Sequence, residues 1–363
     1  MKITAIEATT HRVPIQAPLL TEPLTPQFVF VRVTTDTGLT GYGLTGGIQR
    51  FATKELINRQ IAPLLVGQDP LTTERHWHSL FRALNPRAQT GVWSSAVSAV
   101  DIALWDLKGK HFREPVWRLL GGANQTVQAY VTFGLLEYTR EQLVEAAKQF
   151  AAEGHDKLKM VVAVNGAQDP AEDAARVRAV REAVGDGVEL MVDANYLFAF
   201  PHALDLCKRI EGYGITWFEE PVYGNDARLL ANLRRQTRIP IAAGQNEGHK
   251  WRHRELLVHE AVDVLQPNVV WVGGYTEALK VAAMAQAFNV PIANGGGWPH
   301  HNMHLIAGVS NGWRVEFHLV MWRVGEAIFQ DPPKPSRGMV TLPERPGLGL
   351  EPKEDVLKET REP

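Results

Sequence analysis

The sequence predicts an α/β protein, a (β/α)8 barrel preceded by an α+β domain. The chain's 363 residues exceed a typical domain of roughly 100–200. Up to residue 125 strand patterns come first and helical patterns follow, the order of an α+β unit. From residue 126 eight short apolar runs recur every 22–31 residues, with amphipathic segments between most of them. An open doubly wound sheet shares that alternation, but eight units in about 200 residues close more naturally into a barrel.

The elements follow in order. Met1-Lys2-Ile3-Thr4-Ala5-Ile6-Glu7 alternates like a strand and lacks the apolar core of a signal peptide. Residues 2–12 and 28–42 read as strands, the second running into a Thr35-Asp36-Thr37-Gly38 turn, with Pro14 to Gln27 as a loop between them. Helical patterns cover 50–65, 70–84 and 92–112; Ser94 to Leu107 is small or apolar on almost every side and is expected to be buried. Barrel strands are expected to start near Val127, Lys157, Val188, Ile215, Pro240, Val262, Val290 and Trp313. Amphipathic helices fit Arg140 to Glu153, Ala171 to Val184 and Thr276 to Ala287. The expected domains are a cap over 1–125, a barrel over 126–324, and a proline-rich return segment over 325–363 that completes the cap.

Composition narrows the function. With 45% apolar and 21% charged residues the chain is an ordinary globular protein. Lys plus Arg number 38 against 40 Asp plus Glu, so nothing favours nucleic acid or an anionic membrane as partner. No run approaches 18 uncharged apolar residues, so no spanning helix is expected. The single cysteine, Cys207, forms no intramolecular disulfide and reads as helix packing, which suits a reducing, cytoplasmic location.

In such a barrel the chemistry sits at the C-terminal strand ends. Lys157 and Lys159 share a strand and, at period two, a face. Side by side, two ammonium groups lower each other's pKa, toward the roughly 7–8 a general base needs; solvation at the barrel mouth, or pairing with carboxylates, is the plainer alternative. Asp193 and Glu219, on successive strand ends, suit a hard cation such as Mg²⁺ or serve as salt-bridge partners. Later ends carry Gln245-Asn246-Glu247, Asn268, Asn294-Gly295-Gly296-Gly297, and Glu316 with His318.

Several motifs fall in one order along nearly the whole chain. Lys157-Leu158-Lys159, Val192-Asp193-Ala194-Asn195 and Trp217-Phe218-Glu219-Glu220-Pro221 resemble the enolase superfamily, in its mandelate racemase/muconate lactonizing enzyme-like branch. The run from Ala96 to Lys110 and Gln266-Pro267-Asn268-Val269-Val270-Trp271-Val272-Gly273-Gly274 resemble it too. The resemblance implies a TIM-like barrel of the modified (β/α)7β kind and removal of the proton α to a carboxylate at an Mg²⁺ site. It implies Asp193 and Glu219 as metal ligands, Lys159 as base with Lys157 lowering its pKa, and Glu316 and Asn195 as substrate contacts. It also implies a small-molecule carboxylate substrate and a homo-oligomer, dimer or octamer.

The chain departs from the family pattern in three places. Where a third acidic ligand is usual stands Gln245; spacing favours it, and chemistry favours Glu247 two residues on. Where an Asp–His pair is usual stand Asn268 and Asn294-Gly295, both expected to line the substrate site; His300, His301 or His304 is the candidate replacement acid. The Gly295-Gly296-Gly297 run reads as a tight turn letting the backbone approach substrate. Without the Asp–His pair, dehydration of a sugar acid or other β-hydroxy acid to a 2-keto acid leads. An epimerase or racemase follows, then a cycloisomerase, then a non-catalytic carboxylate- or metal-binding barrel.

Overall fold

The computed structural model describes residues 1–84 and 90–363. Its first sheet is antiparallel, β1 (Ile3–Arg12), β2 (Gln27–Thr35) and β3 (Thr40–Gly46) in that order. The Asp36-Thr37-Gly38 turn between β2 and β3 needs a left-handed residue, which Gly38 supplies at φ 82°. The helix Val92–Phe112 lies directly on β3. A Cβ at Gly41 or Gly43 would meet the carbonyl oxygens of Ala103 or Ala99 at 2.1 and 2.0 Å, so only glycine allows this approach. The helix is buried on all sides from Trp93 to Leu107 because its other face meets the barrel. There Ser98 Oγ accepts from the backbone N–H groups of Gly273 and Gly274, and Asp101 accepts from Thr276. The helix expected over 50–65 is interrupted by a wide turn at Ile57–Ile61; Pro63, with no N–H for the carbonyl four residues back, sits just beyond it.

The barrel has eight parallel strands: β4 (Thr126–Gly134), β5 (Lys157–Val161), β6 (Glu189–Asp193), β7 (Ile215–Glu219), β8 (Ile241–Ala243), β9 (Val264–Leu265), β10 (Ile292–Ala293) and β11 (Gly312–His318). Each pairs with the next, and β11 closes on β4, Glu316 beside Tyr130 and His318 beside Thr132. All eight fall where the apolar runs placed them. The interior is packed low down by Tyr130, Met191, Trp217, Ala242, Val264 and Ala293, with the Tyr130 and Trp217 rings edge to face at 5.2 Å. Above this apolar plug the inward positions turn polar.

The return segment touches both halves. Met339–Thr341 pairs antiparallel with the start of β4, Phe329–Gln330 pairs with Glu351–Pro352, and the helix Glu354–Glu359 follows. At its end Glu362 forms ion pairs with Arg12 and Arg50 of the N-terminal half. Cys207 is buried in the helix Phe200–Ile210, and burial pushes its thiol up to about 12, as a packing residue requires. Among the described residues no helix is long and apolar enough to cross a membrane.

Candidate active site

A cavity of about 340 Å³ opens between the C-terminal strand ends and the N-terminal sheet. Asp193, Asn195, Gln245 and His318 line it from the barrel, Trp271 and Trp298 form apolar walls, and Gly46 at the end of β3 covers it with Gly47 and Ile48. A Cβ at Gly46 would lie 2.3 Å from the Trp271 ring, so a glycine there lets that indole sit beneath the cap.

Lys159 is fully buried beneath this cavity. Its Nζ is 2.8 Å from Glu316 Oε1, 3.2 Å from Asp193 Oδ2, and in contact with Glu219 Oε1. Burial works against its charge, but Glu219, Glu316 and Asp193 outweigh that and hold its pKa well above the usual lysine value. Lys157 is not among the groups beside Lys159, against the expectation that it lowers the Lys159 pKa. Same-face neighbours on a strand lie roughly 6.6 Å apart along it, and Lys157 sits one layer down, at the opposite end of the barrel. Its Nζ is 2.9 Å from both Asp156 oxygens, beside the return segment, where a Cβ on Gly338 would come within 2.7 Å of it. Lys157 does not share the site.

Glu219 is held from below, its Oε2 accepting from Trp217 Nε1 at 3.0 Å and Gln266 Nε2 at 2.8 Å. Glu316 accepts from Thr132 Oγ1 and, at 2.5 Å, from the Gly297 N–H. Buried among these donors and beside Lys159, its pKa is lowered despite desolvation. Asn195, at φ 45°, reaches the cavity from the strained turn after β6, where its N–H donates to Asp193 Oδ1 at 2.8 Å.

The structure separates the two third-ligand candidates. Gln245 borders the cavity, with Nε2 at 3.0 Å from Glu220 Oε2 and 3.5 Å from Asp193 Oδ2. Glu247 is turned away, paired with Arg252 at 2.8 Å and accepting from Asn225; an arginine partner already neutralises it, which corrects its placement as a ligand. A Cβ at Gly295 would lie 2.8 Å from both Gln245 Oε1 and Glu219 Oε1, so only a glycine lets both oxygens approach the backbone there.

Asn268 and Asn294, expected to touch substrate, instead hold the turn that follows β10. Asn268 Nδ2 donates to the Gly295 carbonyl, and its Oδ1 accepts from Val270 and Asn302. Asn294 Nδ2 donates to the Gly297 carbonyl while its Oδ1 accepts from the Glu316 N–H. Both are fully buried with these groups engaged, which corrects their role. The candidate acids move as well. His300, on the wholly buried helix Pro299–Gly308, is 3.1 Å from the Pro333 carbonyl, and His301 packs on Phe329. His304 reaches the Leu348 carbonyl. Burial lowers all three, His300 to about 4 and His304 to about 3. They lie against the return segment, and none lines the cavity.

The histidine at the cavity is His318, which closes β11 and caps the next helix. The Val320 N–H donates to its Nδ1 at 3.3 Å, which leaves the ring proton of the neutral form on Nε2. Burial lowers its pKa, with Glu316 opposing. Its signal in the sequence was position, two residues beyond Glu316 and so on the same face.

Residues 1–121 match the mandelate racemase/muconate lactonizing enzyme N-terminal domain, and residues 142–356 match the enolase C-terminal domain-like family. The chain belongs to the enolase superfamily, in its mandelate racemase/muconate lactonizing enzyme group. It is 32% identical to an arabinonate dehydratase of Saccharolobus solfataricus, over 92% of this chain and 90% of that protein. It is 33% identical to a D-galactarolactone cycloisomerase of Agrobacterium fabrum, with 100% of both covered. The crystal structure of a racemase from Streptomyces coelicolor A3(2) with bound magnesium superposes with a TM-score of 0.90 at 30% identity, covering 99% of this chain and 100% of that one.

Proposed function

We propose that this chain is an Mg²⁺-dependent hydro-lyase that dehydrates a sugar acid, or another β-hydroxy acid that also carries an α-hydroxyl, to a 2-keto acid. One observation carries the reading: a single buried amine, Lys159, lies beneath the cavity within 3.2 Å of carboxylate oxygens of Asp193, Glu219 and Glu316. A positive centre thus already bridges Asp193 and Glu219. With the Gln245 carboxamide they form an all-oxygen donor set, which fits a hard divalent cation. The set holds two carboxylates and one amide, and among the described residues no group of three acidic, His or Cys side chains is placed to hold a metal ion. Held by these three residues, the cation would give positive charge to the substrate carboxylate and relieve Lys159 of the two carboxylates that hold its proton.

The chain's own groups then divide the work. The neutral Lys159 amine takes the proton from the carbon next to the carboxylate. The C–O bond to the β-hydroxyl breaks, and the departing oxygen, accepting a hydrogen bond from His318 Nε2–H, takes the proton from the Lys159 ammonium and leaves as water. The enol so formed picks up a proton at carbon to become the 2-keto acid. Trp271 and Trp298 keep bulk water from the carbon acid. The arabinonate dehydratase supports this reading.

A second reading is supported by the D-galactarolactone cycloisomerase, which covers the whole chain: the same α-proton step followed by internal rearrangement. Mass spectrometry decides between them. Aldonates, aldarates and their lactones are incubated with the protein and Mg²⁺ in D2O. Loss of one water from an acid establishes the dehydratase, and a product of unchanged mass apart from deuterium establishes an isomerase. No change in any acid, with Mg²⁺ bound, contradicts both.

A further inference from the structure

Glu220 has no part in the chemistry above, yet it is fully buried beside the site. Its φ of 42° is left-handed, a conformation costly for a glutamate and kept only where surrounding contacts enforce it. The backbone is held by its N–H on the Ala242 carbonyl and its carbonyl on the Tyr196 N–H, and the carboxylate by three carboxamides. Asn225 Nδ2 donates to its Oε1 at 2.8 Å, and Asn246 Nδ2 and Gln245 Nε2 donate to its Oε2 at 2.9 and 3.0 Å. The Gly244 N–H adds a longer bond at 3.4 Å. Burial pushes this carboxyl up to about 7 and the three amides oppose that; all three show it nitrogen, the arrangement that favours the ionised, accepting form.

For Gln245 this fixes which end of the amide points where. With Nε2 donating to Glu220 at 3.0 Å and, at the longer 3.5 Å, to Asp193 Oδ2, Oε1 lies on the Gly295 side, as Glu219 Oε1 does. We infer that Glu220 is a positioning residue that turns the Gln245 carboxamide so that its carbonyl oxygen serves as a neutral third donor to the divalent cation. The inference rests on reading this site as a cation site.

Neutrality makes it testable. A glutamate at 245 has oxygen at both ends and needs no orienting partner. The experiment is a double-mutant cycle on Mn²⁺ affinity, free Mn²⁺ being read by electron paramagnetic resonance on chelator-stripped protein without substrate. Gln245→Glu is expected to tighten Mn²⁺ about tenfold by adding a charged ligand. Glu220→Gln is expected to weaken it about tenfold in the native background, the scale of a lost ligand-orienting contact. In the Gln245→Glu background the same change is expected to leave affinity unchanged or raise it. Gln245→Met, which removes the oxygen and leaves Glu220 in place, is expected to match Glu220→Gln.

Equal weakening by Glu220→Gln in both backgrounds would mark a merely structural role and overturn the inference. So would unchanged affinity in Gln245→Met. Absence of Mn²⁺ binding in both the native protein and Gln245→Glu would overturn the cation reading itself. Since no substrate is present, inactivity toward every sugar acid leaves this test intact.

Discussion

Lys157 and Lys159 stand two residues apart on one strand, on one face, with the same side chain, and the fold gives them unrelated surroundings. Lys159 is sealed among Asp193, Glu219 and Glu316 beneath the cavity, whereas Lys157 pairs with Asp156 at the far end of the barrel. One residue step along a strand selects the face; the layer is set by how deep the barrel is packed, here by Tyr130, Met191 and Trp217. The histidines repeat the contrast. His300 and His301 are buried against the return segment, and His318 lines the cavity.

The contrast can be broken by substitution. Lys159→Met is expected to lower turnover by about 10³–10⁴-fold, the full worth of a positioned base, measured as initial rate on the acid found by mass spectrometry. His318→Gln should lower kcat by roughly 10²-fold with KM little moved, since a donor to the leaving group acts mainly in the transition state.

His300 tests the structural side through pH. Its folded pKa of about 4 lies below the ordinary 6.5 because burial disfavours the charged ring. Between those values the unfolded chain binds the extra proton, so stability falls as pH falls. Denaturant titrations at pH 7 and pH 5 should show the native protein losing about 2 kcal/mol that a His300→Gln variant keeps. Equal losses would mean that the ring is not held neutral.

Gly295→Ala places a Cβ 2.8 Å from both Gln245 Oε1 and Glu219 Oε1; Mg²⁺ affinity by calorimetry should drop about tenfold while the fold persists. Lys157→Met sets the floor of the series. It removes an ion pair with a half-exposed partner, Asp156, so the expected cost is at most about 1 kcal/mol of stability, with turnover nearly unchanged.

What the sequence conveyed follows from what one-dimensional patterns encode. Period two and the spacing of apolar runs placed all eight barrel strands, and motif order placed Asp193, Glu219 and Glu316 around one point. The buried helix over Ser94 to Leu107 was legible because small residues on every side require packing on every side. Layer depth was not legible, which is why Lys157 was assigned to the site. The choice between Gln245 and Glu247 depended on Arg252, which sits on the following helix and claims Glu247 only in three dimensions. Asn268 and Asn294 look like substrate contacts until the carbonyls of the glycine turn are seen to occupy them. The histidine run at 300–304 drew attention through its density, whereas the lone His318 had only its register with Glu316 to mark it.

The central claim is that one buried lysine, not a lysine pair, activates the carbon acid. It is tested most directly by following deuterium entry at the α-carbon in D2O with Mg²⁺, by mass spectrometry, for the native protein, Lys157→Met and Lys159→Met side by side. The account predicts native-like exchange in Lys157→Met and none above background in Lys159→Met. Exchange lost in both variants, or retained in Lys159→Met, would contradict it.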